Sequence, residues 1–196
     1  MRVVVGSRNA HKVREIAAIF AEEGVGFELV TIDEVAPGVE LVEEEPTFEA
    51  NALTKARQAA VATGLPAIAD DSGIEADALD GGPGPRSARF AGEGASDAEN
   101  LAKLVEVIAD EPSDARAARY RCVAAIAWPD GRSLHAEGVC EGSLVATPRG
   151  AGGFGYDPIF VPERERGTMA ELGDEEKDRI SHRGRAFRAL AELLSA

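Results

Sequence analysis

Two short stretches carry the residues best suited to phosphate and acid–base chemistry. SRNAHK places Ser7, Arg8, Asn9, Ala10, His11 and Lys12 directly after the apolar run Val3, Val4 and Val5. A strand end that hands over to a helix start is an anion site in α/β proteins. The unpaired N–H groups and the positive dipole end of the helix attract phosphate there. Lys12 falls one turn beyond Asn9, so both can project toward one ligand. The plain alternative is an ordinary helix start with solvated cations, since no glycine-rich cradle is present. ADDSG then puts Asp70 and Asp71 at a second strand end, followed by Ser72 and Gly73. Adjacent carboxylates on extended backbone point to opposite sides, so these two have different jobs. One can hold Mg²⁺ or polarise a water, because Mg²⁺ favours one or two carboxylates plus phosphate oxygens over an all-protein cage. An Asp-rich turn bonding its own backbone is the competing account.

Three further stretches are weaker alone. In VEEEPTFEANALTKA, Glu43, Glu44 and Glu45 precede a helix on which Asn51 and Lys55 stand at i and i+4. The glutamates can supply a metal ligand, or they are a solvated acidic loop. In PRGAGGFGYDP, the glycines permit close backbone approach to a ligand, and Phe154 and Tyr156 offer faces for a planar base. SHRGRAF puts His182 and Arg183 in the first turn of a helix, where the dipole disfavours cations; such broken local rules tend to mark functional sites. GGPGPRSARFAG fits a structural turn better than a dinucleotide fingerprint, because no strand–turn–helix context surrounds it.

These stretches need a framework. Residues 3–5 read as a strand buried on both faces, and Val13, Ile16, Ala17 and Phe20 form a helical stripe that ends near Gly24. Residues 27–32 read as the next strand, giving a β-α-β opening. Thr47 caps a helix over 48–62, and residues 66–69 form a short strand that ends at Asp70. Ser96 and Glu99 make a capping box ahead of Leu101, Leu104, Val105 and Ile108. Residues 119–128 and 132–140 read as a hairpin around Pro129-Asp130-Gly131, and a last helix from Ser181 buries Phe187, Leu190 and Leu194. The sum is one α/β domain over residues 1–196 with a mixed sheet.

Composition narrows the class. The chain has 196 residues, 44% hydrophobic and 29% charged, which suits a globular protein with a sizeable core. A net charge of −14 argues against a general nucleic-acid or acidic-membrane binder. No apolar run approaches the roughly 18 residues of a membrane span, and the N-terminus lacks a signal-peptide pattern. Cys122 and Cys140 read as buried thiols in a reducing cytoplasm. Zinc does not fit the scattered His11, His135 and His182.

The order of the motifs is distinctive. S-x-N-x-x-K, T-F-x-x-N-A-x-x-K-A, A-D-D-S-G, G-G-x-G-x-R-S-A-R-F-A-G, F-G-Y-D-P and a terminal S-H-R together resemble the inosine triphosphate pyrophosphatase family, across essentially the whole chain. That resemblance implies an elongated, two-lobed α/β fold around a mixed, twisted sheet with flanking helices and an active cleft between lobes. It also implies a homodimer. The implied substrates are non-standard purine nucleoside triphosphates (ITP, dITP, XTP), cut with Mg²⁺ to a monophosphate and pyrophosphate. Ser7, Arg8, Asn9, Ala10, His11 and Lys12 would hold the triphosphate, with Lys55 pointing at it. Asp71 would be proton acceptor and metal ligand, Glu43 a second metal ligand, and Ser72 a substrate contact. Phe154, Gly155, Tyr156 and Asp157 would contact the nucleotide, with Phe154 stacked on the base. Lys177, His182 and Arg183 would complete the pocket.

Three departures stand out. Ala50 replaces a frequent glutamate that would complete a capping box with Thr47, at a cost of about 1 kcal/mol or less of helix stability. Glu43-Glu44-Glu45 replaces an acidic-Thr-Gly segment, and Arg8 replaces a frequent glycine. Two rival readings remain: a septum-formation (Maf-like) pyrophosphatase of pyrimidine or modified nucleotides, and a non-catalytic nucleotide-binding module.

Overall fold

Strand β1 (Arg2–Val5) forms where three successive valines can be buried at once, Val3 and Val5 in one apolar layer and Val4 in the other. The structure, a computed structural model, describes residues 1–8 and 10–195. The side chains of Ala10, His11 and Asp174 are outside that description. The roles expected of Asn9, and of the side chains of Ala10 and His11, therefore lie outside the described residues. Helix α1 (Ala10–Glu22) follows, and Gly24 takes a positive φ of 70° just past its end.

Strand β2 (Glu28–Thr31) pairs parallel with β1, which also pairs parallel with β3 (Ala67–Ala76). Between them lie two helices. Short α2 (Ile32–Val35) carries a Thr31/Glu34 capping box, and α3 (Phe48–Thr63) is capped by Thr47 and ends at Gly64 in the left-handed region. Two-residue β4 (Gly82–Pro83) pairs antiparallel with β3 and leads into a 3₁₀ turn at Gly84–Arg89. Helix α4 (Asp97–Ile108) has the expected Ser96/Glu99 box. Strands β5 (Ala117–Ala127) and β6 (Ser133–Leu144) are neighbours in the sheet, and β7 (Phe160–Pro162) pairs antiparallel with β6. Helices α5 (Asp174–Ile180) and α6 (His182–Ser195) close the chain. The sheet is mixed, in the order β2-β1-β3-β5-β6-β7 with β4 beside β3.

Several elements differ from the sequence expectation. Ile32 starts a helix instead of ending a strand, because Thr31 finds its capping partner in Glu34. The strand expected to stop at Ala69 continues as β3 through Asp70, Asp71, Ser72 and Gly73. Its polar residues are held by tertiary partners described below, which override their weak strand propensity. The hairpin strands are longer than expected, and α5 was not anticipated.

The chain divides into two compact units, one of Met1–Asp71, Cys122–Gly138 and His182–Ala196, the other of Ser72–Arg121 and Val139–Ser181. The first has two apolar layers. Ile16, Phe20, Phe187 and Leu190 of α1 and α6 cover Val3, Val5, Ile68 and Cys122, with Phe20 and Phe187 edge to face at 5.8 Å. On the other side, Ala52, Ala56, Ala59 and Ala60 of α3 pack on Val4, Ala69 and Val123. In the second unit, Leu104 and Ile108 of α4 share a core with Ile74, Tyr120 and Phe160.

Candidate active site

The extended backbone of β3 sends successive side chains to opposite layers, so Asp70 follows Ile68 toward α1 and α6 while Asp71 follows Ala69 toward α3. Both carboxylates are buried. On Asp70's side, Lys12 Nζ donates to Oδ2 at 3.0 Å and to Oδ1 at 3.3 Å, and Arg183 Nε donates to Oδ2 at 3.3 Å. Arg183 Nη1 also donates to Glu15 Oε2 at 2.9 Å. Burial alone would push the Asp70 pKa up, but the charges of Lys12, Arg183 and Lys55 outweigh it and hold the carboxyl well below the usual range. Burial in turn disfavours the Arg183 cation, and Asp70 and Glu15 reverse that, raising its pKa. This explains a cation in the first turn of α6: two carboxylates offset the helix dipole.

Asp71 has a different environment. Asn51 Nδ2 donates to Asp71 Oδ2 at 2.9 Å, and the same side chain exchanges hydrogen bonds with the Glu45 backbone, accepting at 2.9 Å and donating at 3.2 Å. Burial pushes the Asp71 pKa up. The charge of Lys55 and the Asn51 bond pull against it without cancelling it, while Glu43 and Asp70 add to the rise. A carboxylate so held keeps an appetite for a proton, as a general base requires. Lys55 Nζ, buried on α3, donates to Glu43 Oε1 and to the Asp70 carbonyl, both at 2.6 Å.

Ser7, Arg8, Lys12, Glu43, Lys55 and Asp70 line a pocket of about 220 Å³. Arg8 reaches it from an exposed position, bonding Asp33 Oδ1 at 3.0 Å and the Val39 carbonyl at 2.9 Å. Of the three glutamates, Glu43 is the one whose carboxylate meets Lys55 and acts on Asp71. Among the described residues no group of three or more His, Cys, Asp and Glu side chains is arranged as a metal cage. The hard oxygen donors of Glu43 and Asp71 nevertheless suit Mg²⁺, which takes few carboxylates and completes its shell with water and phosphate.

In the second unit, residues 154–157 form a tight turn. Asp157 Oδ2 accepts from Phe154 N at 3.0 Å and from Lys177 Nζ at 2.7 Å. The Lys177 ammonium lies 4.9 Å from the centre of the Phe154 ring, which is 47% exposed. Gly153 takes φ 71°, and a Cβ there would run into the Asp157 carboxylate. Tyr156 and Asp157 themselves are buried. Ser72 is partly buried on β3, and His182 is buried in the first turn of α6.

The chain matches the model of the Ham1 family over residues 3–193. This protein belongs to the Ham1 family. It is 48% identical over 193 residues to a dITP/XTP pyrophosphatase of Geobacter sulfurreducens, covering 98% of this chain and 96% of the relative. The dITP/XTP pyrophosphatase of Streptomyces coelicolor is equally similar, with the same coverage. A HAM1 protein of Coxiella burnetii, known from its structure, superposes with a TM-score of 0.91 at 39% identity over 100% of this chain and 98% of that one.

Of the residues that meet at the two carboxylates, Glu15 is not among the sequence candidates, and Asn51 appears there only as the residue four before Lys55. Asn51 is signalled by standing one helical turn before Lys55, and Glu15 by following Lys12 at i+3 on α1. The sequence carries no signal for the Asp70–Arg183 pair, whose members are 113 residues apart.

Proposed function

We propose that this protein hydrolyses dITP, ITP and XTP to the nucleoside monophosphate and pyrophosphate. The observation that carries the reading is the pair of adjacent buried carboxylates: Asp70 is neutralised by cations, and Asp71 is kept proton-avid beside Lys55 and Glu43. The names of relatives matched over their whole length give the substrate class.

In the first unit, Asp71 orients and deprotonates a water that attacks the α-phosphorus. Lys12, Lys55 and the start of α1, with Ser7, Arg8, Asn9, Ala10 and His11, hold the triphosphate and stabilise the departing pyrophosphate. Glu43 and Asp71 would hold magnesium, which would supply charge neutralisation to the triphosphate. Ser72 is assigned to the substrate. In the second unit, Phe154 gives a stacking face, Gly155, Tyr156 and Asp157 shape the turn that carries it, and Lys177 lies beside it.

His182 and Arg183 are assigned to the purine. Hypoxanthine and xanthine present a 6-keto acceptor to such donors, whereas adenine presents a 6-amino donor. A site built on that bond discriminates by about 10⁴-fold. A homodimer in the cytoplasm is part of the same reading, supported by the motif resemblance and by the buried, unbridged Cys122 and Cys140.

The test is product analysis with Mg²⁺ and, separately, ITP, XTP, GTP, ATP and dTTP. Pyrophosphate plus monophosphate from ITP and XTP, with little from ATP and GTP, is expected. Orthophosphate release, turnover mainly of dTTP, or no turnover would each overturn the reading.

A further inference from the structure

The motif GGPGPRSARFAG has no chemical role in the reading above, yet at its centre stands a buried serine of the second unit. Ser87 is 6% exposed. Its Oγ accepts from Ile74 N at 2.9 Å and donates to the Gly84 carbonyl at 2.6 Å. It sits where Gly73 leaves room: a Cβ on Gly73 would collide with the Ser87 side chain and the Gly84 carbonyl. The 3₁₀ turn Gly84–Arg89 is thereby seated on β3. Its far end is pinned by Asn100 of α4, which accepts from Ala91 N at 2.7 Å and donates to the Ala88 carbonyl at 3.0 Å.

What this seated turn offers outward is the Ser87 carbonyl, and the buried Tyr156 hydroxyl donates to it at 2.7 Å. Tyr156 belongs to the turn that carries Phe154. The Phe154 amide and the Lys177 ammonium share Asp157 Oδ2, and Asp157 N donates back to the Phe154 carbonyl at 3.3 Å. Gly155 N is tied to Asp97 Oδ2 at 3.3 Å. The exposed Phe154 ring therefore owes its position to the buried anchors Tyr156 and Asp157 that follow it in the chain, and Ser87 holds one of them.

We propose that Ser87 is a positioning residue: through the Gly84–Arg89 turn it fixes the Tyr156 hydroxyl, hence the Phe154 ring, and so sets affinity for the purine base of the substrate. The base assignment rests on the function proposed above; the mechanical link from Ser87 to residues 154–157 does not.

The experiment uses the full chain with Ser87→Ala, Tyr156→Phe and the double variant. For each, KM and kcat for ITP, inhibition by inorganic tripolyphosphate and amide hydrogen exchange are measured. KM for ITP should rise roughly tenfold in each single variant, the size of one buried hydrogen bond. Inhibition by tripolyphosphate, which has no base, should stay within about twofold, and kcat should change little. The double variant should be no worse than the poorer single, because both break one chain of contacts. Exchange at the Phe154 and Asp157 amides should quicken while that of Val4 is unchanged. A merely structural role would lower the folded fraction, and apparent kcat with it, without moving KM. Unchanged KM, additive losses, or tripolyphosphate inhibition weakened as much as KM would overturn the proposal. If Ser87→Ala does not fold, Tyr156→Phe alone decides by the same criteria. If the unaltered protein does not cleave ITP, the proposed function fails and exchange alone decides the link: unchanged exchange at 154 and 157 ends it.

Discussion

Asp70 and Asp71 are neighbours in the chain and opposites in environment. On one face of β3, Asp70 is enclosed by Lys12 and Arg183, with Lys55 adding a third positive field, and its negative charge is fixed. On the other face, Asp71 meets an amide from Asn51, one cation and the repulsion of Glu43, and its charge is held reluctantly. Strand geometry separates the faces; the helices behind each face decide the chemistry. One carboxylate organises the cations of the site, and the other is left basic enough to accept a proton.

The sharpest way to break this comparison is to neutralise each side in turn. Asp70→Asn leaves Arg183 buried without its full countercharge, and stability should fall by about 3–5 kcal/mol, read from denaturant unfolding. Asp71→Asn should do the reverse. Turnover of ITP should drop on the order of 10²-fold or more, while the melting temperature holds or rises because a charge penalised by burial is gone. Equal stability losses for the two variants would dissolve the contrast.

A subtler probe shifts only the Asp70 face. Gly138 of β6 lies against the first turn of α6, and a Cβ there would collide with the His182 carbonyl and the Ala186 amide. Gly138→Ala should cost about 1–3 kcal/mol by overpacking and disturb Arg183, while the acid limb of kcat/KM, set by Asp71, stays in place.

The two faces also respond to pH with opposite signs. Asp70 has a folded pKa below its unfolded one, so its contribution to stability is present above the unfolded pKa and is lost as pH falls toward the folded value. Asp71 has a folded pKa above its unfolded one, so in that window the folded state binds more protons and stability falls as pH rises through it. Activity needs the Asp71 carboxylate, so its protonation in acid should lower kcat/KM. Asp71→Asn should remove the second stability component and leave the first.

The smallest expected effect lies at the base of the Asp71 face. Thr47 caps α3 alone, its Oγ1 accepting from Ala50 N at 3.2 Å. Thr47→Ala should cost about 1 kcal/mol and raise KM slightly through Asn51 and Lys55.

Much of this was legible in the sequence because it is local. The valine run, the stripe of α1, the Thr47 and Ser96 caps and the alanine face of α3 depend on residues within a few positions of each other. The opposition of Asp70 and Asp71 followed from strand periodicity alone. The continuation of β3 was not legible, since Asp-Asp-Ser-Gly reads as a loop until Lys12, Arg183 and Asn51 are known to satisfy its two carboxylates. Helix α2, four residues long, is too short to show a period. The SHR motif looked anomalous by helix-dipole rules, and the reason, Asp70 across the fold, has no trace in local sequence.

The most direct test is a carbon-13 NMR titration of the two side-chain carboxyls in the metal-free protein, assigned with Asp70→Asn and Asp71→Asn. The account predicts that Asp71 titrates above the ordinary aspartate value of about 3.9 and that Asp70 remains ionised well below it. Coincident titrations, or the reverse order, would contradict the division of labour between the two faces.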